Sequence, residues 1–439
     1  MKKNATKLSW LLTLFISVPL CLLTACDKDD DDNNGGGHSS SLTPDSDNGG
    51  LTLPAGFGAI TVKAETAPAR HIAVNTNGDI YIKLSQLKSG AGIMMLKDTN
   101  KDGRADSQKE FGNYPGTGIA IKNGYLYASS DEEVFRYKFN GNNEIENTTT
   151  PEKIITGLTK GSQHTSKSIA LDDQNNIYVN IGAPSNSCQM QDRVPGSLGQ
   201  DPCPILQTAG GIWQFKADQL NQSQAQGIRY ATGLRNVVGL DWNKSANDLY
   251  AMQHGRDQLS FLFPQLFTDS MSAELPAEEF LLVTQGADFG WPYCYYDQMQ
   301  NKKVLAPEYG GDGKTVGRCE NAIKPIWSFP GHWAPNALLF YTGNQFPGRY
   351  KNGAFIAFHG SWNRAPLRQG GYFVAFVPMQ NGQPSGPWEV FAEGFTGVEV
   401  ITQPEEALYR PMGLAQGPDG SLYISDSKKG RIWRIVYKG

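Results

Sequence analysis

Charge is what this 439-residue chain has little of: Asp, Glu, Lys and Arg together make up 19 % of it. The formal net charge is −4, and no basic patch or aromatic stacking motif is evident, which excludes a nucleic-acid binder. Cysteine is scarce as well, with six in all. No Cys-x-x-Cys-His stretch occurs, so covalently held haem is excluded. No Cys-x-x-Cys pair occurs either, which leaves a zinc site without its usual spacing. What the chain has is 49 Gly, 18 Tyr and 9 Trp in short runs, a composition that favours an all-β architecture over a helical one.

The N-terminus reads as a targeting segment. A positive "MKKNATK" precedes the apolar "LSWLLTLFISVPLCL", and "LTAC" follows at Leu23 to Cys26. That ending resembles a bacterial lipobox. It implies a signal peptide over residues 1–25, lipidation of Cys26, export, and a periplasmic or outer-membrane location on a lipid anchor. Residues 26–50, acidic and Gly/Ser-rich, read as a disordered tether. Residues 51–439 are left as the folded domain. Four cysteines fall within it, in two local groups. In an oxidising compartment these read as the disulfides Cys188–Cys203 and Cys294–Cys319.

A repeat organises the domain. "ARHIAVNTNGDIYIK", "GTGIAIKNGYLYASS", "SKSIALDDQNNIYVNIG", "NVVGLDWNKSANDLYAMQHG", "KNGAFIAFHGSW" and "RPMGLAQGPDGSLYISDS" share one pattern: an apolar run, a polar turn, then an alternating strand. Asn-Gly and Asp-Gly turns between period-2 strands are hairpin signals. A third strand follows most units, as in "EVFRYKF", "GGIWQFKA" and "GRIWRIVY". Six units predict a six-bladed β-propeller with long insertions. A pair of β-sandwiches or a solenoid are the alternatives, and the irregular spacing argues against a solenoid.

In a propeller the loops leading into the inner strands converge on one face. Arg70, His164, Arg235 with Asn236, and Arg410 each stand just before such a strand. His254 to Asp257 and His359 to Arg364 stand at the outgoing ends. Taken singly, each arginine reads first as a surface or blade-to-blade salt bridge, and His164 equally as a satisfied turn histidine. Taken together, Arg70, Arg235, Arg364 and Arg410 concentrate forked positive charge suited to carboxylates. Beside them His164 is expected to stay neutral and act as a base.

These stretches, with "GLRNVVGLDW", "QHGRDQL", "GADFGWPYCYYD" and "HGSWNR", are similar to the soluble quinoprotein sugar dehydrogenases. Those enzymes are six-bladed propellers that bind pyrroloquinoline quinone. The likeness covers nearly all of the domain and is strongest to the sorbosone and pyranose dehydrogenase branch. It implies that His164 takes the hydroxyl proton of the sugar carbon being oxidised while hydride passes to the C5 carbonyl of the quinone. Arg235 and Asn236 would contact the cofactor beside C5. Arg70 and Arg410 would hold its carboxylates, and His359, Trp362 and Arg364 would line it from another blade. A Ca²⁺ ion held by the main chain of Gly255 and Arg256, with Asp257 a further ligand, would polarise the carbonyl. With no haem motif, electrons would leave to a separate acceptor, a quinone or a cytochrome.

The likeness has departures. The glucose-oxidising branch has an aspartate before the base, where this chain has Gln163, and a cofactor-contacting lysine of that branch has no match. "DTNKDGRAD" resembles an EF-type calcium loop, with Asp98, Asn100, Asp102 and Asp106 as ligands of a structural Ca²⁺, although the closing Glu is one place late at Glu110. A solvated hairpin is the competing reading of that loop. The cysteine-bounded insertions are expected to rise over the active face, with Tyr293, Tyr295, His332 and Trp333 available to stack on a sugar. Two further functions compete with the dehydrogenase: a non-catalytic propeller binding module, and a calcium-dependent lactonase, which needs a ring of Glu, Asn and Asp around its metal.

Overall fold

The computed structural model describes residues 40–439 apart from 365 and 366. The signal segment and Cys26 lie outside the described residues. Six sheets of four or five strands follow one another along the chain, antiparallel throughout except for a short parallel edge strand on each of the two five-stranded ones. Their innermost strands are Ala69–Val74, Ile119–Lys122, Ile169–Leu171, Val237–Asn243, Pro335–Phe340 and Pro411–Gln416, in blades 1 to 6. Among the described residues, the only α-helices are the short Leu259–Leu262 and Asp269–Glu274.

Each blade begins as the hairpin that its turn residues specify. In blade 1 the strands Ala69–Val74 and Ile80–Lys88 pair across a turn in which Gly78 has φ +90°. A β-carbon there would be strained, which is why a glycine follows the asparagine. Period-2 alternation then gives each blade two apolar faces, and each face is buried against the next blade. Tyr81 and Ile93 of blade 1 pack with Leu126 and Tyr137 of blade 2. Phe355 and Phe376 of blade 5 pack with Ile424 and Trp433 of blade 6. A comparable cluster fills every interface around the ring.

The ring closes through the N-terminal strand Phe57–Lys63, which pairs with Ile432–Tyr437 as the outer strand of blade 6. A long-range ladder of this kind ties both ends of the fold together. The segment before it corrects the sequence reading. Residues 40–50, assigned above to the disordered tether, lie against blade 6. Asp45 N–H donates to Ala59 O at 2.8 Å, and Trp433 Nε1 donates to Gly49 O at 3.0 Å. Composition suggested disorder, but these backbone groups have a strand edge to bond.

The inner strands surround an axial cavity of about 350 Å³, lined by residues from all six blades. The insertion that holds Cys188 and Cys203 follows the second strand of blade 3, which runs back to the face where the inner strands begin. The one that holds Cys294 and Cys319 follows the third strand of blade 4, Glu278–Val283, and returns to the same face, where Trp291 Nε1 donates to Asn186 O. Both disulfides form as expected, Cys188–Cys203 and Cys294–Cys319. They brace two loops on that face.

Candidate active site

Every inner strand starts on the insertion-bearing face, so the residues before these starts meet around the axis. His164 is among them, with φ +51°, a conformation costly for a residue with a β-carbon. Its ring is fixed by a 2.6 Å hydrogen bond from Nδ1 to Ala183 O. That bond sets the tautomer and leaves Nε2 as an unprotonated acceptor with no partner among the described residues. Gly182 lies alongside, and a β-carbon on it would stand 2.6 Å from His164 O and 3.1 Å from Asn236 Oδ1. Burial, then the neighbouring Arg235, push the imidazole down to about 3, against the opposing pull of Ala183 O and Asp257. His164 is therefore a neutral base at pH 7.

Arg235 is buried at 4 % exposure. Its Nη1 donates to Gly255 O at 2.9 Å, and its Nη2 to Asn186 Oδ1 at 3.1 Å and to Asp257 Oδ2 at 2.6 Å. Its Nε has no partner, and neither does the buried Oδ1 of Asn236 next to it. Orphaned buried polar atoms are rare and costly, and two adjacent ones beside an unpaired imidazole nitrogen mark a ligand position.

Across the ring are two guanidiniums held by neutral groups. Arg70 donates to the hydroxyls of Thr117 at 3.1 Å and Ser166 at 2.7 Å. Arg410 donates to His359 O at 3.0 Å and Gly360 O at 2.5 Å. Neither forms an ion pair among the described residues. Burial holds Arg70 down at about 10 and moves Arg410 in the same direction. His359, whose Nε2 lies 2.6 Å from Ser427 Oγ, is held well below its usual range by burial and by these two arginines. The fold has placed positive charge here without a counter-ion, which suits an anionic guest.

The structure assigns other residues differently from the sequence reading. Asp257 is not open to a metal. Its Oδ2 accepts from both Arg235 and Arg193, and its Oδ1 accepts from Asn363 Nδ2 at 2.9 Å. Arg256 forms a buried pair with Glu308 at 2.5 Å, so only its main chain faces the question of an ion. Arg364 is committed to the second helix, with bonds to Ala273 O, Gly331 O and Glu274. Trp362 stands on the rim at 55 % exposure.

Of the proposed sugar platforms, Tyr295 and His332 are buried, and Trp333 packs edge-on against Phe358, Phe373 and Trp388. Tyr293 is covered by Arg318, whose guanidinium lies 3.7 Å from the ring centroid. The loop at Asp98 closes on itself. Asp98 accepts from the N–H groups of Asp102 and Gly103, Asn100 pairs with Asp102, and Asp106 is capped by Thr99 and Asn100. Among the described residues no group of three or more His, Cys, Asp or Glu side chains is arranged to hold a metal.

Sequence reasoning missed two residues of the Arg235–Asp257 network. Asn186 fixes the guanidinium and the Asp257 peptide together, and Arg193 shares the Asp257 carboxylate. Both come from an insertion without periodicity, so no spacing in the sequence pointed to them.

Comparison with known proteins agrees with this geometry. The chain is 22 % identical over 414 residues to a protein of Hypocrea jecorina named pyrroloquinoline quinone-dependent sugar dehydrogenase, covering 90 % of this chain and 84 % of that one. It is 26 % identical over 276 residues to a pyrroloquinoline quinone-dependent pyranose dehydrogenase of Coprinopsis cinerea, covering 55 % of this chain and 36 % of that longer protein. Among solved structures, a Trichoderma reesei carbohydrate-active enzyme of family AA12 superposes with a TM-score of 0.71 at 20 % identity, covering 91 % of this chain and all of that one. The holo quinone domain of the Coprinopsis cinerea pyranose dehydrogenase superposes with a TM-score of 0.69 at 20 % identity, covering 91 % and 99 %. A profile of the TrAA12-like family matches residues 51–438, and the chain belongs to that family.

Proposed function

We propose that this chain is a pyrroloquinoline quinone-dependent dehydrogenase that oxidises a sugar, with His164 as general base and a separate protein or quinone as electron acceptor. One observation carries the reading. The unpaired Nε2 of His164, the orphaned Nε of Arg235 and Oδ1 of Asn236, and the counter-ion-free Arg70 and Arg410 occupy one ring of inner-strand starts. The relatives named for this cofactor support it from an independent side.

The quinone, when bound, supplies an electrophilic carbonyl that accepts hydride. The chain supplies the rest. Arg70 and Arg410 would hold the carboxylates of the quinone. Arg235 Nε, free of any partner among the described residues, would offer its N–H to the carbonyl oxygen on which charge develops, as electrostatic stabilisation. His164 Nε2 takes the hydroxyl proton of the sugar, and Ala183 O stabilises the resulting imidazolium through Nδ1–H.

A calcium ion belongs to the proposal with the Gly255 and Arg256 main-chain oxygens as its protein ligands, and it would add Lewis-acid polarisation. Gly255 O accepts from Arg235, so that ion has to share or displace this contact. The lactonase alternative finds no support, because no acidic metal cluster is present among the described residues.

Export and lipidation at Cys26 complete the reading. Two disulfides suit an oxidising compartment. Ser40 N–H bonds to Tyr437 O, at the end of a strand that runs away from the active face.

The test uses the soluble form beginning at Ser40, stripped and then titrated with the quinone and Ca²⁺ while cofactor absorbance is followed. A panel of sugars with an acceptor dye comes next. Tight binding with sugar-driven bleaching, lost in His164→Ala, is the expected result. Binding without bleaching by any sugar would favour the binding-module reading, and no binding would overturn the cofactor assignment.

A further inference from the structure

We infer that Arg193 is a positioning residue through which the disulfide-bounded loop from Cys188 to Cys203 fixes the geometry between His164 and Arg235. The inference rests on the quinone-site reading above and adds a residue to it.

Arg193 lies at the tip of the loop with φ +60° and is one-quarter exposed. Its N–H is held by Gln189 Oε1 at 2.9 Å, and the loop is braced by Gln200 N–H to Cys188 O at 2.9 Å. The side chain grips two parts of the site. On one side, Nη2 and Nε donate to Gln163 Oε1 at 3.0 and 3.3 Å, and Gln163 is the residue immediately before the base. On the other, Nη2 donates to Asp257 Oδ2 at 2.9 Å, the same oxygen that accepts from Arg235. Nη1 completes the set at Gln258 Oε1, 2.8 Å away.

The far end of Gln163 is also pinned by the loop, because its Nε2 donates to Asp192 Oδ2 at 2.7 Å. Asp192 in turn accepts from Ser185 Oγ and Asn186 N–H. Both ends of the Gln163 amide are therefore held by consecutive residues of one loop. The strained turn carrying His164 is attached to that loop and not to its own blade alone. Asp257 spends Oδ2 on both guanidiniums and Oδ1 on Asn363, so it pairs with Arg235 through Nη2 alone and Arg235 Nε stays free for a ligand. A planar fork is needed for this, since a lysine cannot span both acceptors.

Without the disulfide the loop has little apolar anchorage: Met190 and Leu198 are 73 % and 66 % exposed. The bridge and Arg193 thus act as one device, the bridge holding the loop and the arginine transmitting its position.

The experiment compares Arg193→Gln, Arg193→Lys, the Cys188→Ala/Cys203→Ala pair, and the pair combined with Arg193→Gln. Amide hydrogen exchange is read in the cofactor-free proteins over residues 161–166 and 254–258. Steady-state turnover is read after reconstitution. Arg193→Gln should speed exchange in both segments by about tenfold and lower kcat by about tenfold, with sugar KM within about twofold. Arg193→Lys should recover neither. The bridge-free pair should match Arg193→Gln, and the combination should be no worse than either, the non-additivity of one connected device. Unchanged exchange and kcat in Arg193→Gln, or effects of arginine and bridge that multiply, would overturn the inference. If the wild-type protein binds no quinone the function reading fails, while the exchange comparison still decides the coupling.

Discussion

Arg70→Met should make the cofactor-free protein more stable and its cofactor binding weaker, opposite signs from one substitution. Burial lowers the Arg70 guanidinium from 12.5 to about 10. It stays charged at pH 7, and the displacement corresponds to about 3 kcal/mol held against the folded state. Methionine keeps the length and removes the charge. Two hydrogen bonds, to Thr117 and Ser166, are lost at about 1 kcal/mol each. The two hydroxyls already lie 3.1 Å apart and can satisfy each other. The balance is a gain of about 1 kcal/mol, a rise in Tm of roughly one or two degrees for a domain of this size. Losing a charge-assisted contact to a carboxylate costs about 1.5–3 kcal/mol of binding, or roughly 10- to 150-fold in Kd. Differential scanning calorimetry of the stripped protein and absorbance titration with the quinone read the two effects separately. A lower Tm with unchanged Kd would show that Arg70 braces blade 1 and holds nothing, and would refute the reasoning from its missing counter-ion.

Three more outcomes are expected. Because His164 is neutral down to about pH 3, turnover should lose nothing to protonation of the base between pH 8 and 5; a kcat that halves near pH 6.5 would contradict this. His71 and His254 are held at about 4 chiefly by burial, so below pH 6.5 the unfolded chain binds more protons than the folded one. Stability should therefore fall as pH drops from 6.5 towards 4, by up to about 3 kcal/mol for each histidine, and a urea midpoint that stays flat over that window would be incompatible with neutral buried rings. Asp257→Asn strips two guanidiniums of their shared anion and should destabilise the protein by about 3–5 kcal/mol, measured by denaturant unfolding; a loss below about 1 kcal/mol would mean that the pair is solvated.

The blades were legible because their signal is local. An Asn-Gly or Asp-Gly turn between alternating strands specifies a hairpin wherever it occurs, and five of the six units quoted from the sequence supply the first and second strands of a blade, while "KNGAFIAFHGSW" supplies only the second strand of blade 5, Ala354–Phe358. The ring of Arg70, His164, Arg235 and Arg410 was legible for a related reason. A repeat assigns equivalent places, and equivalent places in a closed ring converge. The disulfides were legible from the grouping of the cysteines together with the oxidising compartment that the N-terminal segment implies, since each pair bounds one insertion.

Tertiary packing decided the rest. Arg364 and Arg410 look alike in the sequence, yet one is spent on Glu274 and the carbonyls of Ala273 and Gly331 while the other keeps its charge unpaired. Trp333 and Trp362 look alike as well, and one packs among three aromatic rings while the other stands on the rim. Asp257 reads as a metal ligand until Arg193, from a loop more than sixty residues earlier, takes its oxygen. Strand, turn and blade follow from short-range backbone preference, which the residues themselves carry. Which charges are paired and which stay open depends on side chains that meet across blades and insertions, and only the closed ring brings them within reach.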